Sequence, residues 1–311
     1  MPRKEAASGA QRFDGYYREI YQDRWTGLKE AMLKDSNPIM LSSAFGDKEQ
    51  KECFEEPYYM DMASILAACM LPAKAGDRVL DMCAAPGGKT LVLASRLNGS
   101  GILVSNDRSA SRRSRLAKVV DTCLKPQVKS NIKVTGHDSS TWSLYEKDVY
   151  DCVLLDAPCS SERHVLNDAS ELSMWSPTRP KRLAIQQFAM LAAALDAAVD
   201  GGYILYSTCS INPIENEKVI EKLKRKRAGR FEEMPLSKMV EKTKAGVLTN
   251  TFKSLQVEEL EHGYIVLPDK SNLCGPLYFC LLRKQSLQTD PNERPSNESD
   301  KNAPKHEEND I

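Results

Sequence analysis

From residue 77 onward, the apolar positions fall into short unbroken runs separated by longer amphipathic stretches. The runs 78–82, 102–105, 132–135, 152–155 and 203–206 are dense in Val, Ile and Leu, as strands buried on both faces require. Between them, the stretches from 89, over 109–124 and over 182–199 carry apolar residues at helical spacing. This alternation predicts right-handed βαβ units and a mostly parallel sheet, hence an α/β fold. Past a charged helix at 215–227, two more runs at 264–267 and 277–282 are joined by a short connection ending at Pro276. They predict a C-terminal antiparallel hairpin at the sheet edge.

Ahead of this region, Phe13, Tyr17, Ile20, Tyr21, Trp25, Leu28 and Met32 recur at helical spacing. They predict one amphipathic helix over 13–33, stopped by Asp35-Ser36-Asn37-Pro38. A second helix is expected over 61–70. Residues 1–10 read as a loose leader. The tail from 287, rich in Asn, Pro, Glu and Asp, cannot contribute a core and is expected to be disordered. The division expected is an N-terminal helical extension over 1–57, the main domain over 58–286 and the tail over 287–311.

Composition narrows the class. A chain of 311 residues that is 41% hydrophobic suits one large globular domain. No run approaches the roughly 18 apolar residues of a membrane span, and Met1-Pro2-Arg3-Lys4-Glu5 has no apolar stretch behind it to make a secretory signal. Nine cysteines without paired spacing point to a reducing compartment rather than a disulfide framework. With no C-x-x-C and four dispersed histidines, no metal site is expected. The 43 basic and 43 acidic residues balance, but the tail from Gln285 is acidic and leaves a mild positive excess on the rest. That excess permits a polyanionic partner without demonstrating one.

Chemistry-bearing residues gather at strand ends. Val79-Leu80-Asp81-Met82 runs into Cys83-Ala84-Ala85-Pro86-Gly87-Gly88-Lys89, Val153-Leu154-Leu155-Asp156 into Ala157-Pro158-Cys159, and Tyr203-Ile204-Leu205-Tyr206 into Ser207-Thr208-Cys209. In an open parallel sheet, the carboxyl ends of the strands form the ligand crevice, so all three segments should meet there. Ala84, Ala85, Gly87 and Gly88 let the backbone approach a ligand, and the next helix offers free N–H groups. Asp107, twenty positions beyond Gly87, stands where an acid holds ribose hydroxyls; Asp138, past the third strand, is placed for a base edge. Gly88-Lys89-Thr90 resembles the end of a phosphate loop, but that pattern needs a glycine where Cys83 stands. A bare connecting turn is the plain alternative; together with Asp107, an adenosine-type ligand is the favoured reading.

The motifs Asp81-Met82-Cys83-Ala84-Ala85-Pro86-Gly87-Gly88-Lys89-Thr90, Asp156-Ala157-Pro158-Cys159-Ser160 and Tyr206-Ser207-Thr208-Cys209-Ser210 together resemble the Nop/Sun-domain family of RNA cytosine-C5 methyltransferases. The segment Ser160-Ser161-Glu162-Arg163-His164 is similar to the branch of the mitochondrial ribosomal-RNA enzyme. The resemblance implies a Rossmann-like class I methyltransferase fold, S-adenosyl-L-methionine as cofactor and RNA as substrate. Ribosomal RNA comes first; transfer RNA, or a non-catalytic methyltransferase-like RNA-binding scaffold, is the alternative. Carried over residue by residue, it implies that Cys83, Ala84, Ala85, Pro86, Gly87, Gly88 and Lys89 line the cofactor. Asp107 would bind its ribose, Arg112 support the site and Asp138 approach the adenine. Asp156 would serve both cofactor and base, Cys209 would be the nucleophile and Cys159 the cysteine that releases product. With no appended RNA-binding domain recognised, a protein partner or assembled particle is expected to supply RNA specificity. The expected location is cytoplasmic in a bacterium, and mitochondrial matrix or nucleolus in a eukaryote.

The chemistry suits these residue types. Cytosine C5 is too electron-poor to attack a methyl sulfonium, and a thiolate added at C6 turns the ring into an enamine nucleophilic at C5. Asp156 would meet N3, where attack builds negative charge. The remaining thiols, Cys53, Cys69, Cys123, Cys152, Cys274 and Cys280, read as packing residues. Trp175 reads as packing rather than base stacking, and the basic run 222–226 as a solvated helix face. Arg163, Arg179, Lys181 and Arg182, clustered beside the crevice, are the choice for phosphate contacts.

Overall fold

The computed structural model describes residues 8–242 and 254–286. The expected tail, residues 287–311, and most of the expected leader lie outside the described residues. The strands β1 (Arg78–Asp81), β2 (Ile102–Asn106), β3 (Ile132–Thr135), β4 (Tyr150–Asp156) and β5 (Ala198–Thr208) pair in parallel in the order β3-β2-β1-β4-β5. The C-terminal part adds β6 (Phe231–Glu233), β7 (Val257–Glu259), β8 (Tyr264–Val266) and β9 (Leu277–Lys284). β9 runs antiparallel along β5, and β8 and then β7 continue the sheet beyond it. The predicted hairpin of β8 and β9 is present. It stands at the antiparallel side of the sheet, as expected, with β7 added beyond β8.

The apolar runs are continuous because the sheet is covered on both faces. Along β4 and β5 the side chains alternate: Leu154 and Leu205 enter one core, Val153, Leu155, Ile204 and Tyr206 the other. Helices α3 (Met62–Met70), α4 (Gly88–Leu97) and α5 (Ala110–Cys123) cover the first face. Burial of such side chains, at about 25 cal/mol per Å² of apolar surface, is the main favourable term here. Cys53, Cys69, Cys123, Cys152, Cys274 and Cys280 are all buried, as expected of packing thiols. No helix among the described residues is long and apolar enough to cross a membrane.

The opposite face carries the N-terminal helices together with α8 (Thr178–Ala197) and α9 (Glu217–Lys226), with two shorter helices between, α6 (Glu162–Asn167) and α7 (Ala169–Met174). The single helix expected over 13–33 is broken. α1 (Gly9–Tyr21) ends where Gln22 takes a left-handed φ of 49°, a 3-10 turn spans Gln22–Arg24, and α2 (Trp25–Leu33) resumes. Periodicity alone cannot see this break, because the aromatic stripe continues in phase across it. The turn points Arg24 at the C-terminal strands, where its guanidinium grips Glu258 at 2.6 Å and Asp269 at 2.7 Å. Trp25 then folds back onto Tyr17, with ring centroids 5.4 Å apart, and donates its indole N–H to Asp14 at 2.9 Å.

Phe13, Tyr17, Trp25, Leu28 and Met32 share one core with Leu80 and Val153 of the sheet. We therefore expect Trp25→Ala to destabilise the fold by about 3–5 kcal/mol, the cost of truncating a fully buried aromatic. Urea unfolding checks this, and a loss below about 1 kcal/mol would mean that the two helices are a detachable appendage.

Candidate active site

β4 and β5 are in register such that Asp156 lies opposite Ser207. Ser207 donates its hydroxyl to Asp156 Oδ1 at 2.8 Å, and Lys89 Nζ reaches Asp156 Oδ2 at 2.7 Å. Two and three residues further along each chain, the loops bring Cys159 Sγ within 3.0 Å of Cys209 Sγ. Ser161 Oγ stands 3.3 Å from Cys209 Sγ and 3.5 Å from Cys159 Sγ. Cys159 is partly buried and Cys209 is exposed in the cleft.

The two thiols differ electrostatically. Cys209 is lowered from the ordinary thiol value, first by the hydrogen bond from Cys159 and further by Ser161, against the opposing effect of burial. Cys159 is raised by the same bond, by burial and by the charge on Cys209. The two directions make Cys159 the donor and Cys209 the more readily ionised sulfur of the pair. Burial pulls Lys89 down, but the charge and hydrogen bond of Asp156 outweigh it and the amine is raised overall.

Beside this pair lies a pocket lined by Tyr58, Met60, Asp81, Cys83, Ala85 and Gly88, reaching Lys89 and Asp156. The Ala85–Pro86 peptide is cis, and Gly87 has φ +125° where a Cβ would come within 2.9 Å of Val119 Cγ1. At Gly88, an added Cβ would meet Tyr58 Cε1 at 3.1 Å. Small residues here are thus set by helix packing as well as by room for a ligand. Asp81 is fully buried and accepts from Thr90 Oγ1 at 2.7 Å, while its Oδ1 has no partner. Burial, partly offset by Thr90, pushes Asp81 up to about 7. Cys83 is buried and pushed up to about 12, which suits a lining residue rather than a reactive one.

Asp107 lies behind this loop, 4% exposed. Its Oδ1 accepts from Ser109 N at 2.9 Å and its Oδ2 lies 3.4 Å from Arg112, whose guanidinium also donates to the carbonyl of Ala85. Arg112 thereby fastens the acid to the loop. Asp138 is not in the pocket lining. It caps the 3-10 turn Ser139–Leu144 through Ser140 and pairs with Arg108 at 3.0 Å, and it is lowered chiefly by the Ser140 hydroxyl.

A second cleft of about 430 Å³ opens past Ser64, which lines both, and is bounded by Ser36, Asp61, Ser161, Arg163, His164 and Cys209. Arg163 is held there by backbone carbonyls of Leu273, Gly275 and Lys34. On the other side of Cys159, a groove is lined by Ser176, Thr178, Arg179 and Arg182. Arg179 pairs with Glu171 at 2.5 Å, while Lys181 and Arg182 are exposed. Trp175 is 1% exposed and packs against Phe13 and Tyr16, the packing role expected of it.

Tyr58, Met60 and Ser64 were not legible in the sequence, because they arrive from a two-residue strand, the residue before it and a helix with no motif of their own. Nor were Ser161 and Ser207, although both sit inside or beside quoted motifs: a serine next to a cysteine is too common to single out.

Residues 68–265, more than half of the chain, match the family described as 16S rRNA methyltransferase RsmB/F. The chain is 38% identical over 246 residues to the 5-cytosine rRNA methyltransferase NSUN4 of Bos taurus, covering 72% of this chain and 58% of that protein. It is 35% identical over 184 residues to the ribosomal RNA small subunit methyltransferase F of Escherichia coli, covering 58% and 38%. It thus spans well under two thirds of either relative. Among solved structures, a methyltransferase homologue from Pyrococcus horikoshii superposes with a TM-score of 0.63 at 20% identity, covering 88% of this chain and 94% of that one. That likeness concerns the fold, a class I methyltransferase sheet with antiparallel strands added at one side. By the extent of the family match, the chain belongs to the 16S rRNA methyltransferase RsmB/F family.

Proposed function

We propose that this chain is an S-adenosylmethionine-dependent RNA cytosine-C5 methyltransferase that acts on ribosomal RNA with Cys209 as nucleophile. The observation that carries this is the sulfur pair. A lowered thiol and a raised thiol lie 3.0 Å apart where two neighbouring strands end, with Asp156 between them and a pocket suited to an adenosine cofactor. The names of the relatives support ribosomal RNA as the substrate class; transfer RNA is the alternative. Bisulfite sequencing of total RNA with and without the gene tests the assignment, and an unchanged ribosomal pattern overturns it.

The pocket fits a cationic ligand. A buried carboxylate oxygen of Asp81 stands without a partner in the lining, and a buried acceptor left unsatisfied is costly until a donor or cation arrives. Asp107, steadied by Arg112, suits ribose hydroxyls. Once bound, S-adenosylmethionine supplies an electrophilic methyl group on a sulfonium.

The chain's own residues account for the rest. The Cys209 thiolate adds to cytosine C6, and the ring becomes an enamine whose C5 accepts the methyl group. Asp156, fixed by Lys89 and Ser207, is the residue we assign to give N3 a proton as attack builds negative charge there. The C5 proton is then lost to water in the open cleft, the C5–C6 double bond re-forms and Cys209 departs as thiolate. The Cys159 S–H donates to that departing sulfur, which lowers the cost of its expulsion. Arg182 and Lys181 are the residues we assign to phosphate contact, with Arg163 holding its loop in place. A protein partner or assembled particle selects the nucleotide.

Cys209→Ala should abolish both methylation and the protein–RNA adduct. Cys159→Ala should form the adduct and release it slowly, so that it accumulates on denaturing gels and vanishes in the double mutant. An adduct that persists without Cys209 reverses the two roles.

Asp107→Ala should weaken cofactor binding by about 1.5–3 kcal/mol, roughly ten- to a hundredfold, because ribose hydroxyls lose a charged acceptor. RNA affinity should hold within about twofold. Calorimetry with an unchanged cofactor constant removes Asp107 from the site.

Asp81, with a value of about 7, is largely neutral at pH 6 and largely ionised at pH 8. Affinity for the cationic cofactor should therefore rise across that window, and Asp81→Asn should flatten the rise. In the free protein the sign is opposite. A carboxyl raised above its unfolded value stabilises below that value, and its contribution is lost as pH rises through about 7. A pH-independent cofactor affinity in the wild type removes Asp81 from cation recognition.

A further inference from the structure

Behind the two sulfurs, the cysteine loops are joined by two carboxyl groups that the chemistry above does not use. Glu162 and Glu215 are both fully buried. Glu162 opens α6 directly after the loop of Cys159, Glu215 lies on the chain just after Cys209, and their bonds cross. Glu162 Oε2 accepts from Ile211 N at 3.1 Å, and its Oε1 lies 2.9 Å from Ser210 Oγ, both on the Cys209 loop. Glu215 Oε2 accepts from Ser160 N, on the Cys159 loop, at 2.9 Å, and from Gln187 Nε2 at 2.9 Å. Each loop is thus anchored on the carboxyl of the other.

Counting donors places the protons. Glu162 Oε1 also accepts the Tyr17 hydroxyl at 2.5 Å. Ser210 has one hydroxyl proton, accepts from Asn212 N at 3.0 Å and lies 3.1 Å from Glu215 Oε1. If its proton goes to Glu162, then a second carboxylate would set a bare Glu215 Oε1 against a bare hydroxyl lone pair at a fully buried position. One extra proton on Glu215 Oε1 completes the chain: Glu215 donates to Ser210, and Ser210 donates to Glu162. We propose that Glu162 and Glu215 hold a single proton between them through Ser210, and that this dyad is the positioning clasp that keeps Cys159 and Cys209 in register for reaction.

The surroundings agree. The titratable groups facing the pair are Tyr16, Tyr17 and Tyr21 from α1, Tyr206 from β5, and the two cysteines. Burial pushes Glu162 up to about 7, with the charge of Glu215 adding to it, and raises Glu215 as well. Burial also raises Tyr17, which keeps it a donor. The charge of the pair raises Cys159, and that of Glu162 also opposes ionisation of Cys209, so the hydrogen bond between the sulfurs, set by the loops the dyad holds, is what separates thiol from thiolate. Glu162 and Glu215 act only through the loops they hold.

The inference rests on Cys209 being the attacking sulfur, so its test begins with a readout that needs neither RNA nor cofactor. Alkylation of Cys209 by iodoacetamide, followed by mass spectrometry across pH, reports its thiolate. Glu215→Ala should raise the alkylation midpoint by about one pH unit towards the free-thiol value of about 8.5. Glu215→Gln, whose amide N–H replaces the dyad proton, should restore the wild-type midpoint. Glu162→Gln should not rescue, because its amide meets donors at both ends. In methyl-transfer assays, Glu215→Ala and Glu162→Gln should lose at least about tenfold in kcat with KM for RNA within about twofold. Melting temperature should fall as pH rises from about 6 to 8 as the dyad loses its proton, and fall less in Glu215→Gln. A wild-type alkylation profile in Glu215→Ala, or failure of Glu215→Gln to restore it, overturns the clasp. If the alkylation profiles behave as stated while the wild-type protein methylates no RNA, the clasp stands and the assigned reaction falls.

Discussion

The structure depends on the lateral register of β4 and β5. Parallel pairing sets Asp156 opposite Ser207, and both chains leave the sheet immediately afterwards. Sulfur atoms fifty positions apart in sequence therefore meet at 3.0 Å. A slip of one residue would turn every side chain of β5 to the other face, moving Leu205 out of one core and Ile204 and Tyr206 out of the other. Because both faces are buried, that slip is strongly disfavoured. The geometry of the thiol pair is inherited from the packing of two hydrophobic cores, with no separate device needed to set it along the strands.

The sheet cannot by itself hold the loops beyond the strand ends. That work falls to polar side chains that are wholly or partly buried, where an unsatisfied partner is costly. Lys89, Asp156 and Ser207 form a short chain from the pocket beside the glycine loop to the end of β5. Arg112 joins Asp107 to the backbone of the glycine loop. Arg163 ties the segment after Cys159 to the turn before β9 through carbonyls. The first joins a helix to two strand ends, and each arginine is one side chain bridging two separate segments. Their net stabilisation is modest, about 0.5–1.5 kcal/mol for an ordinary hydrogen bond, and their main effect is to leave the site one arrangement.

Much of this was legible in the sequence, for a physical reason. Strands buried on both faces must be apolar runs, so β1, β2, β4, β5 and the hairpin of β8 and β9 announced themselves, while β3, a terminal strand with Lys133 and Val134 exposed, showed only through the strand–helix alternation. The sites at their ends followed from where parallel strands bind ligands. The break at Gln22 did not show, because a left-handed residue leaves no trace in a hydrophobic stripe that stays in phase. The engagement of Arg163 by carbonyls was equally invisible, since an arginine near a crevice looks the same whether it meets phosphate or backbone. Asp138 was visible as an acid past a strand but not as the cap of a turn already paired with Arg108. Glu162 lay within a quoted motif, yet its role depends on a residue fifty-three positions away and on a tyrosine from α1.

That tyrosine gives the N-terminal helices a part beyond covering the sheet. Tyr17 is wholly buried between Trp25 and Trp175 and reaches Glu162 with its hydroxyl. Tyr21 donates to the carbonyl of Ile211 at 2.6 Å, and Asn212 donates to the hydroxyls of Tyr16 and Tyr17. One face of α1 thus supplies the hydroxyls that complete the polar layer beneath both cysteine loops, while its apolar positions complete the core. Aromatic residues suit this double duty, because a tyrosine buries a large ring and still presents one hydrogen-bonding group at its end. The aromatic stripe that reads as a packing helix is also the floor of the reactive site, and its phenols hold the cysteine loops from below as β4 and β5 hold them from the side.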